Sequence, residues 1–347
     1  MIEVRDLVKR YGPNTAVDHI SFTIETGKVY GFLGPNGAGK STTMNIMTGY
    51  LSPTEGTVYI NGHNIMDEPE EAKKYIGYLP EHPPLYMDMK VIEYITFAAE
   101  LKNVPKAKRK EEIERVIDRC GLDKVRGRVI GNLSKGYRQR VGLAQAIIGT
   151  PEVVILDEPT VGLDPNQIIE IRDLIRALGR EHTVILSSHI LAEVQEICDE
   201  VLIIHQGELL AQGTPEQLED KLNAPSLEIT VRSDSENAVK AMLFTIDQVR
   251  GVNCTNENGE VTASVQTVER ADIREEVFNA CVQNALPLLM MRPVELSLEQ
   301  IFLEVIRKNG QGTEKKRKIK KVIRVPVADA AVPDAPMAAD PETEVQK

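Results

Sequence analysis

The sequence predicts an α/β protein built on a parallel β-sheet, and three kinds of segment support this. Short runs of consecutive apolar residues at 153–156 and 184–186 are typical of strands buried on both faces of a parallel sheet. A glycine-rich loop at 34–42 lies between another short apolar run and a segment that can form a helix. Alternating apolar and polar residues at 2–8 and 20–24 indicate additional antiparallel strands with one buried face.

The bulk composition is that of an ordinary globular chain. At 347 residues, with 42% hydrophobic and 27% charged residues, the chain has room for one large domain and a smaller one. The formal net charge of -11 argues against a general nucleic-acid binder, so we expect no nucleic-acid partner. No apolar run approaches the ~20 residues that span a bilayer, so we expect a chain that is soluble by itself. The four cysteines are scattered without metal-ligand spacing and are expected to be reduced packing residues.

The loop at 34–42 fits the phosphate-binding pattern G-x-x-x-x-G-K-[ST]. Its glycines let backbone N–H groups converge on a phosphate, and the helix N-terminus adds the positive end of its dipole. In this pattern Lys40 reaches the β- and γ-phosphates and the Ser41 hydroxyl binds Mg²⁺. A glycine-rich turn followed by a solvated lysine is the alternative, but the fixed positions would arise by chance in roughly one chain in a hundred of this length. The predicted nucleotide-binding residues are Gly34, Pro35, Asn36, Gly37, Ala38, Gly39, Lys40, Ser41 and Thr42.

Two carboxylates follow the buried strand that ends at 156. Asp157 and Glu158 would be costly at a strand end unless they bind something, and ligands of open α/β sheets bind at strand ends. They fit the Walker B pattern, in which Asp157 holds Mg²⁺, usually through water, and Glu158 orients or deprotonates the attacking water. Two solvated acids beyond a strand end are the weaker alternative.

Three further candidates have ordinary interpretations on pattern alone. Ser134 can cap a helix and so offer a second helix N-terminus to an anion, although a simple capped helix is the better interpretation from the pattern. His189 follows the strand at 183–188, where it can meet a γ-phosphate, whereas a lone histidine is usually a surface or core residue. Tyr11 lies on a Gly-Pro-Asn loop, where it is either a surface residue or an aromatic that stacks on a purine ring.

With these motifs in order, residues 2 to about 220 resemble the ATP-binding cassette (ABC) ATPases. The matching elements are the Walker A loop at 34–42, the signature motif at 133–137, the Walker B motif ending at 156–159, the D-loop at 162–164, the switch histidine His189 and the adenine-stacking aromatic Tyr11. Each motif alone is weak, but the set in this order and spacing is highly specific. The resemblance implies a P-loop cassette with a parallel sheet core, an antiparallel β subdomain and a helical subdomain.

The resemblance also implies a composite site that uses ATP and Mg²⁺. Two cassettes pack head to tail, and ATP lies between the Walker A loop of one and the signature helix of the other. Ser134 and Gly136 would then act in trans, next to the D-loop residue Asp164. One set of motifs is present, so a second chain must supply the other cassette, and a homodimer is the simplest source. The implied catalytic residues are Lys40, Glu81, Glu158 and His189, and the implied metal ligands are Ser41, Glu81 and Asp157.

Two positions depart from the family pattern. Glu81 stands where the family carries a glutamine whose carbonyl oxygen contacts Mg²⁺ and the lytic water, so an extra negative charge lies beside the γ-phosphate. The signature reads Leu-Ser-Lys-Gly-Tyr where the consensus is LSGGQ, with Ser134 and Gly136 retained. This combination is similar to bacterial ABC-2-type exporter ATPases, particularly the group associated with gliding motility.

The resemblance implies a cytoplasmic ATPase subunit, peripheral on the cytoplasmic face of the inner membrane, that drives a separate membrane permease. We expect the permease to dock within 81–104 and the complex to be an ABC-2-type exporter. One alternative is an ABC ATPase that powers a non-transporting membrane complex through force or signal transmission. A soluble ABC protein acting on ribosomes or DNA is less favoured, because those relatives usually carry two cassettes or long coiled-coil arms.

The composition shifts along the chain predict three parts. Residues 1–222 form the nucleotide-binding domain, which contains a mainly helical stretch at 69–130 and a helical subdomain at about 82–150. Residues 223–309 form a small α+β domain whose β-α-β-β-α-β order is ferredoxin-like, followed by a helix at 297–307. Residues 310–347, basic at 315–324 and then rich in Pro, Ala and acids, are expected to be disordered. The basic cluster is either a solvated tail or a contact for an anionic membrane surface.

Overall fold

The computed structural model describes residues 1–222, 227–268, 271–294 and 298–310, with side chains described as far as 218 in the first range and 306 in the last. The strands are β1 (Ile2–Tyr11), β2 (Asn14–Ile24), β3 (Val29–Leu33), β4 (Glu55–Ile60), β5 (His63–Asn64), β6 (Ile76–Leu79), β7 (Val153–Asp157), β8 (Thr183–Ser188), β9 (Glu200–His205), β10 (Glu208–Gly213), β11 (Leu227–Arg232), β12 (Val249–Glu257), β13 (Glu260–Thr267) and β14 (Leu288–Pro293). The helices are α1 (Lys40–Met47), α2 (Pro69–Lys74), α3 (Val91–Leu101), α4 (Lys106–Arg119), α5 (Lys135–Ile147), α6 (Pro165–Leu178), α7 (Leu191–Ile197), α8 (Pro215–Leu222), α9 (Glu236–Leu243), α10 (Arg274–Gln283) and α11 (Leu298–Gly310), with 3₁₀ turns at Asp123–Val125 and Ile130–Asn132.

The central sheet has the strand order β10-β9-β3-β8-β7-β6. All neighbouring strands are parallel except β10, which pairs antiparallel with β9. Every residue of β3, β7 and β8 is buried, as expected for strands covered on both faces. The predicted α/β fold with a parallel sheet core is confirmed.

The register of this sheet brings three strand ends together. Leu33, at the end of β3, lies opposite Ser188 on β8, and Ser187 lies opposite Asp157 at the end of β7. Because parallel strands end at the same edge of a sheet, the loop after β3 and the residues after β7 and β8 emerge side by side. The candidate site is built at this edge.

A second sheet, of order β2-β1-β4-β5, is antiparallel. The dipeptide Asn61-Gly62 joins β4 and β5, with Asn61 at φ 51° and Gly62 at φ 87°, as a type I′ turn requires. Tyr11 was expected on a loop, but it is the last residue of β1 and pairs with Asn14. Gly12 and Pro13 alone make the turn, so the strand extends further than the alternating pattern indicated.

The stretch 69–130 contains one strand that the sequence analysis missed. Helices α3 and α4 lie in this stretch, which was predicted to be mainly helical, but 76–79 forms β6 at the edge of the central sheet, parallel to β7. A strand of four residues, one of them glycine, is too short to show a periodicity.

The small α+β domain has an antiparallel sheet of order β12-β13-β11-β14. Numbered within the domain, this is the 2-3-1-4 order of a ferredoxin-like sheet, with helix α9 against β12 and β13 and helix α10 against β14. The apolar side chains of β11 and β13 face these helices and form a separate core. A tight turn with φ 55° at Asn258 and 81° at Gly259 joins β12 and β13.

Helix α11 leaves the small domain and packs on the central-sheet unit. Leu298, Ile301 and Val305 are 0%, 0% and 2% exposed and belong to the same core as Leu218 of α8 and the apolar residues of α7. The Leu298 N–H also donates to Gln195 Oε1 of α7, at 3.3 Å. The small domain therefore lies in sequence between two helices, α8 and α11, that contact each other.

Two further features concern the whole described part of the chain. Within the described ranges, no helix combines the length and the apolar character needed to cross a lipid bilayer. The four cysteines form no disulfide. The tail was predicted to begin at Gly310, but this residue is the last of α11, and 311–347, with the basic cluster at 315–324, lie outside the described residues.

The packing of α11 can be tested with two residues of the same helix. Ile301→Ala should destabilise the protein by about 2–5 kcal/mol, because it leaves a cavity in the core. Leu303, which is 58% exposed, is the matched control, and Leu303→Ala should change stability by less than about 0.5 kcal/mol. Thermal unfolding of both variants measures the difference, and equal effects would show that α11 is not docked through this face.

Candidate active site

The phosphate-binding loop connects β3 to α1 and is held from two sides. Within the loop, the Ala38 N–H donates to Pro35 O at 3.1 Å. On the outer side, the Gly207 N–H, from the β9–β10 turn, donates to Ala38 O at 3.0 Å. The loop therefore winds around the N-terminus of α1, where the unpaired N–H groups of the helix are available to an anion.

The loop passes very close to strand β2 at Gly39. This residue has φ +107°, and a Cβ built on it would lie 2.5 Å from Ala16 O. Gly37 also has a positive φ, +80°, but a Cβ there would meet no atom within 4 Å. The space at Gly39 is thus limited by backbone, which cannot move away as a side chain can.

Lys40 is the buried cation of the site, only 6% exposed. Its Nζ donates to Gly34 O at 2.8 Å and lies 3.4 Å from Glu158 Oε1. Buried charges require partners, and here one carboxylate and the loop carbonyl supply them. The ammonium group is therefore held at the opening of the phosphate loop.

Asp157 is 4% exposed and accepts two hydroxyl hydrogen bonds on one oxygen. Ser41 Oγ donates to Asp157 Oδ1 at 3.1 Å, and Ser187 Oγ donates to the same atom at 2.5 Å. The Glu158 N–H in turn donates to Ser187 Oγ at 2.8 Å. Ser187, which the sequence analysis did not single out, thus links β7 and β8 beneath the site.

The Ser41–Asp157 pair has the chemistry and spacing of a Mg²⁺ site. Ser41 Oγ and Asp157 Oδ1, 3.1 Å apart, place a hydroxyl and a carboxylate oxygen on one side of a single ion, which Asp157 can reach through a water molecule. Among the described residues, no group of three or more His, Cys, Asp or Glu side chains is arranged to hold a metal ion. A magnesium ion here would therefore take its remaining ligands from phosphate and water, as it usually does beside nucleotides.

Glu158 joins Lys40 to His189. One carboxylate oxygen faces Lys40, and the other, Oε2, lies 2.9 Å from His189 Nδ1. Glu158 has φ 48°, in the left-handed region, where a non-glycine residue costs about 1–2 kcal/mol. The hydrogen bond from its N–H to Ser187 and the contacts of its carboxylate with Lys40 and His189 hold Glu158 in this strained backbone conformation.

Tyr78 ties the edge strand β6 to helix α1. Its hydroxyl donates to Asn45 Oδ1 at 2.9 Å. Burial, and secondarily the nearby Asp157 carboxylate, raises the pKa of Tyr78, so this phenol stays protonated and acts as a donor.

Two predicted residues lie outside this cluster. Tyr11 is 49% exposed, with Lys9 Nζ 5.3 Å from its ring centroid. Its hairpin leads directly to Ala16, which abuts the phosphate loop, so an adenine ring bound there has an aromatic side chain nearby. The Glu81 side chain is 44% exposed, and its carboxylate lies 4.0 Å from His82 Nδ1. Its contact with Mg²⁺ stays a prediction.

The signature residues face a different part of the surface. Ser134 caps α5 and accepts a hydrogen bond from the Tyr137 N–H at 3.4 Å, while Asp164 caps α6 through the Gln167 N–H at 3.0 Å. Both caps and Gly136 line a surface cavity of about 540 Å³ between the two helices. No residue of the chain's own phosphate loop lines this cavity.

The chain also resembles known proteins. The family model "ABC transporter" matches residues 17–161. The bacitracin transport ATP-binding protein BcrA of Bacillus licheniformis is 35% identical over 317 residues, covering 90% of this chain and 98% of BcrA. An uncharacterized ABC transporter ATP-binding protein of Bacillus subtilis, YxlF, is 32% identical over 308 residues, covering 88% of this chain and 99% of YxlF. The chain belongs to the ABC transporter ATP-binding proteins.

A solved structure agrees with this assignment. An ATP-binding subunit of an ABC transporter superposes with a TM-score of 0.59 and 30% identity, covering 64% of this chain and 92% of that subunit. The prediction of an ABC transporter ATPase subunit with a cassette fold is confirmed. The segments that match Walker A and Walker B meet in this chain at the edge of the central sheet, through Ser41 and Asp157.

The approach of the phosphate loop to β2 can be tested without nucleotide. Gly37→Ala and Gly39→Ala both place a side chain at positive φ, which costs about 1–2 kcal/mol. Only Gly39→Ala adds a collision with backbone, so it should lower the thermal unfolding temperature of the nucleotide-free protein by clearly more than Gly37→Ala. Equal shifts for the two variants would contradict the close contact with Ala16.

Proposed function

We propose that this chain binds and hydrolyses Mg-ATP at a composite interface between two cassettes and thereby drives a separate membrane permease, in an exporter of the ABC-2 type. The observation that carries the proposal is the convergence of Lys40, the Ser41–Asp157 pair and the Glu158–His189 pair at one sheet edge. Lys40 is a cation for the phosphates, Ser41 and Asp157 are oxygen groups for Mg²⁺, and Glu158 is a carboxylate in contact with a histidine. Phosphoryl transfer to water requires a set of groups of this kind.

Each side chain has a separate task in this scheme. Lys40 and the amides of the phosphate loop bind the β- and γ-phosphates, and Ser41 and Asp157 hold Mg²⁺, Asp157 usually through water. When bound, the metal ion neutralises charge on the phosphate oxygens. Glu158 orients or deprotonates the attacking water, and His189, held by Glu158, faces the γ-phosphate. Tyr11 stacks on the adenine ring, and Glu81 acts from beyond β6 as an additional ligand near the metal ion.

A second copy of the chain completes the site. Ser134 and Gly136 lie on the cavity between α5 and α6, away from their own phosphate loop. A head-to-tail homodimer lets the N-terminus of α5 face the γ-phosphate of the partner cassette, with Asp164 beside it. The Lys135 ammonium group packs against Gly162 of the D-loop, close to this end of the helix. Its positive charge adds to that of the helix N-terminus and so favours an anion there.

The proposed division into parts follows the packing. Residues 1–222 form the cassette, with its helical subdomain at about 82–150, and residues 223–309 form the accessory domain, whose final helix returns to the cassette. The subunit works at the cytoplasmic face of the inner membrane. The tail, 310–347, whose residues from 311 onward lie outside the described part of the chain, is proposed to offer its basic cluster to anionic lipids.

The surface proposed to bind the permease lies within 81–104. Tyr86, Met87 and Leu101 are 52%, 44% and 66% exposed. The Tyr86 ring also packs against the rings of Tyr94 and Phe97 on α3, with centroids 6.0 Å and 5.5 Å away. Helix α3 therefore holds this exposed aromatic side chain in place. A rigid apolar patch of this kind suits a protein partner. That BcrA is a bacitracin transport ATP-binding protein supports a transport role for this chain as well.

Glu158 and Glu81 form a matched pair for testing the chemistry. Glu158→Gln should abolish most ATP hydrolysis while ATP binding persists, and the ATP-bound dimer should accumulate, because the amide cannot take a proton from water. Glu81→Gln should keep most of the activity, since the amide carbonyl can still ligate Mg²⁺. Steady-state hydrolysis and size-exclusion chromatography with ATP measure both. Normal hydrolysis by Glu158→Gln would contradict the assignment of the base.

The transport function predicts a membrane partner for the full chain. Purification from gently solubilised native membranes should recover a polytopic protein, and its reconstitution with this chain should give ATP-dependent substrate movement. Tyr86→Ala should reduce recovery of the partner, whereas Tyr50→Ala, at a side chain 83% exposed elsewhere, should not. A membrane partner without transport would favour force or signal transmission, and ribosomes or DNA in its place would overturn the proposal.

A further inference from the structure

Glu193 is a buried carboxylate that has no part in the scheme above. It lies on α7, only 5% exposed. Its Oε2 accepts hydrogen bonds from Thr160 Oγ1 at 2.6 Å and from Ser188 Oγ at 3.4 Å. Both hydroxyl residues are also buried, at 3% and 1% exposure. One oxygen atom thus connects two segments that are far apart in sequence.

The two hydroxyls belong to the segments that carry the reactive pair. Thr160 follows Glu158 by two residues, and Ser188 immediately precedes His189. The Ser188 Oγ also accepts from the Ile190 N–H at 3.0 Å, on the far side of His189. Glu193 therefore joins the chain beyond β7 to the chain beyond β8, while Glu158 and His189 meet each other 2.9 Å apart.

The physical chemistry of a buried carboxylate makes this connection stiff. Hydrogen bonds to an ionised acceptor are shorter and stronger than those between neutral groups. A buried carboxylate that loses a donor also keeps its desolvation cost, so the donors are held tightly. The Glu193 carboxylate then determines the distance between the segments that follow β7 and β8. Because Glu158 and His189 lie on these two segments, it also determines the contact between them.

We propose that Glu193 is a positioning residue for ATP hydrolysis: through Thr160 and Ser188 it sets the placement of Glu158 relative to His189. It touches neither nucleotide nor water and transfers no proton. The inference rests on the proposed roles of Glu158 and His189. It predicts that weakening the connection slows the chemical step while nucleotide binding persists, because the hydrogen bonds that hold the phosphate loop and Lys40 in place involve neither Glu193 nor its two hydroxyl partners.

Thr160 provides the sharpest test because its shape can be kept while its donor is removed. Thr160→Val should lower kcat about tenfold or more, since small displacements of catalytic groups cost rates of this order. Thr160→Ser, which restores the hydroxyl, should recover most of the rate. Glu193→Gln should lower kcat in the same direction, and the double variant Thr160→Val/Glu193→Gln should be little slower than the slower single variant, as expected for residues in one contact.

The matched control is Thr183, at the opposite end of β8. It is 2% exposed, and its Oγ1 accepts from the Gly27 N–H at 3.0 Å. Thr183→Val removes a buried hydroxyl from the same strand, so it should change kcat little. For all variants of the full chain, kcat, KM, ATP affinity and the thermal unfolding temperature are measured together.

Two outcomes would overturn the inference. One is an unchanged kcat in both Thr160→Val and Glu193→Gln. The other is a fall in rate that follows losses of ATP affinity and thermal stability and that Thr183→Val reproduces, since this would make the contact purely structural. Glu158→Gln in the same assay separates the two levels of argument. Normal hydrolysis by Glu158→Gln would overturn the proposed base. Loss of hydrolysis in Glu158→Gln, together with normal rates in Thr160→Val and Glu193→Gln, would overturn the role of Glu193 alone.

Discussion

The parallel register of β3, β8 and β7 is the constraint on which the site depends. Since Leu33 is level with Ser188, and Ser187 with Asp157, the three chain segments that follow these strands leave the sheet at the same height. Apart from the bond between Lys40 and Gly34 inside the phosphate loop, the ion pair and side-chain hydrogen bonds of the cluster cross between these segments. A shift of one residue in any of the three strands would turn the side chains at its end to the opposite face and separate the groups.

The cluster also illustrates how a buried site balances its charges. Lys40 places one cation against Glu158, and Asp157 is satisfied by the hydroxyls of Ser41 and Ser187. When nucleotide binds, Lys40 can exchange Glu158 for a phosphate oxygen, and Asp157 can exchange the Ser41 hydroxyl for a metal ion or its water. The low dielectric of the surroundings strengthens each contact and makes an unpaired member costly, which keeps the constellation together.

The sequence allowed the central sheet, the phosphate loop and the two carboxylates to be predicted, because each has a local pattern: consecutive apolar residues, a glycine spacing, and acids after a buried strand. Ser187 and Glu193 have no such pattern. Their partners lie about 30 residues away in sequence, and only the adjacency of β7 and β8 brings them into contact. For the same reason the return of α11 to α7 and α8 was not foreseen, since its apolar face gave no indication of which core would cover it.

The placement of α11 couples the folding of the small domain to the cassette. The first and last strands of that domain, β11 and β14, are neighbours that pair Leu227 with Pro293, so the chain enters and leaves at adjacent points. The folded sheet thereby closes the loop between α8 and α11 and removes the entropy that an unfolded connection would lose when α11 docks. Docking and sheet folding thus favour each other, and by linkage whatever stabilises the sheet tightens α11 on α7, the helix that carries Glu193.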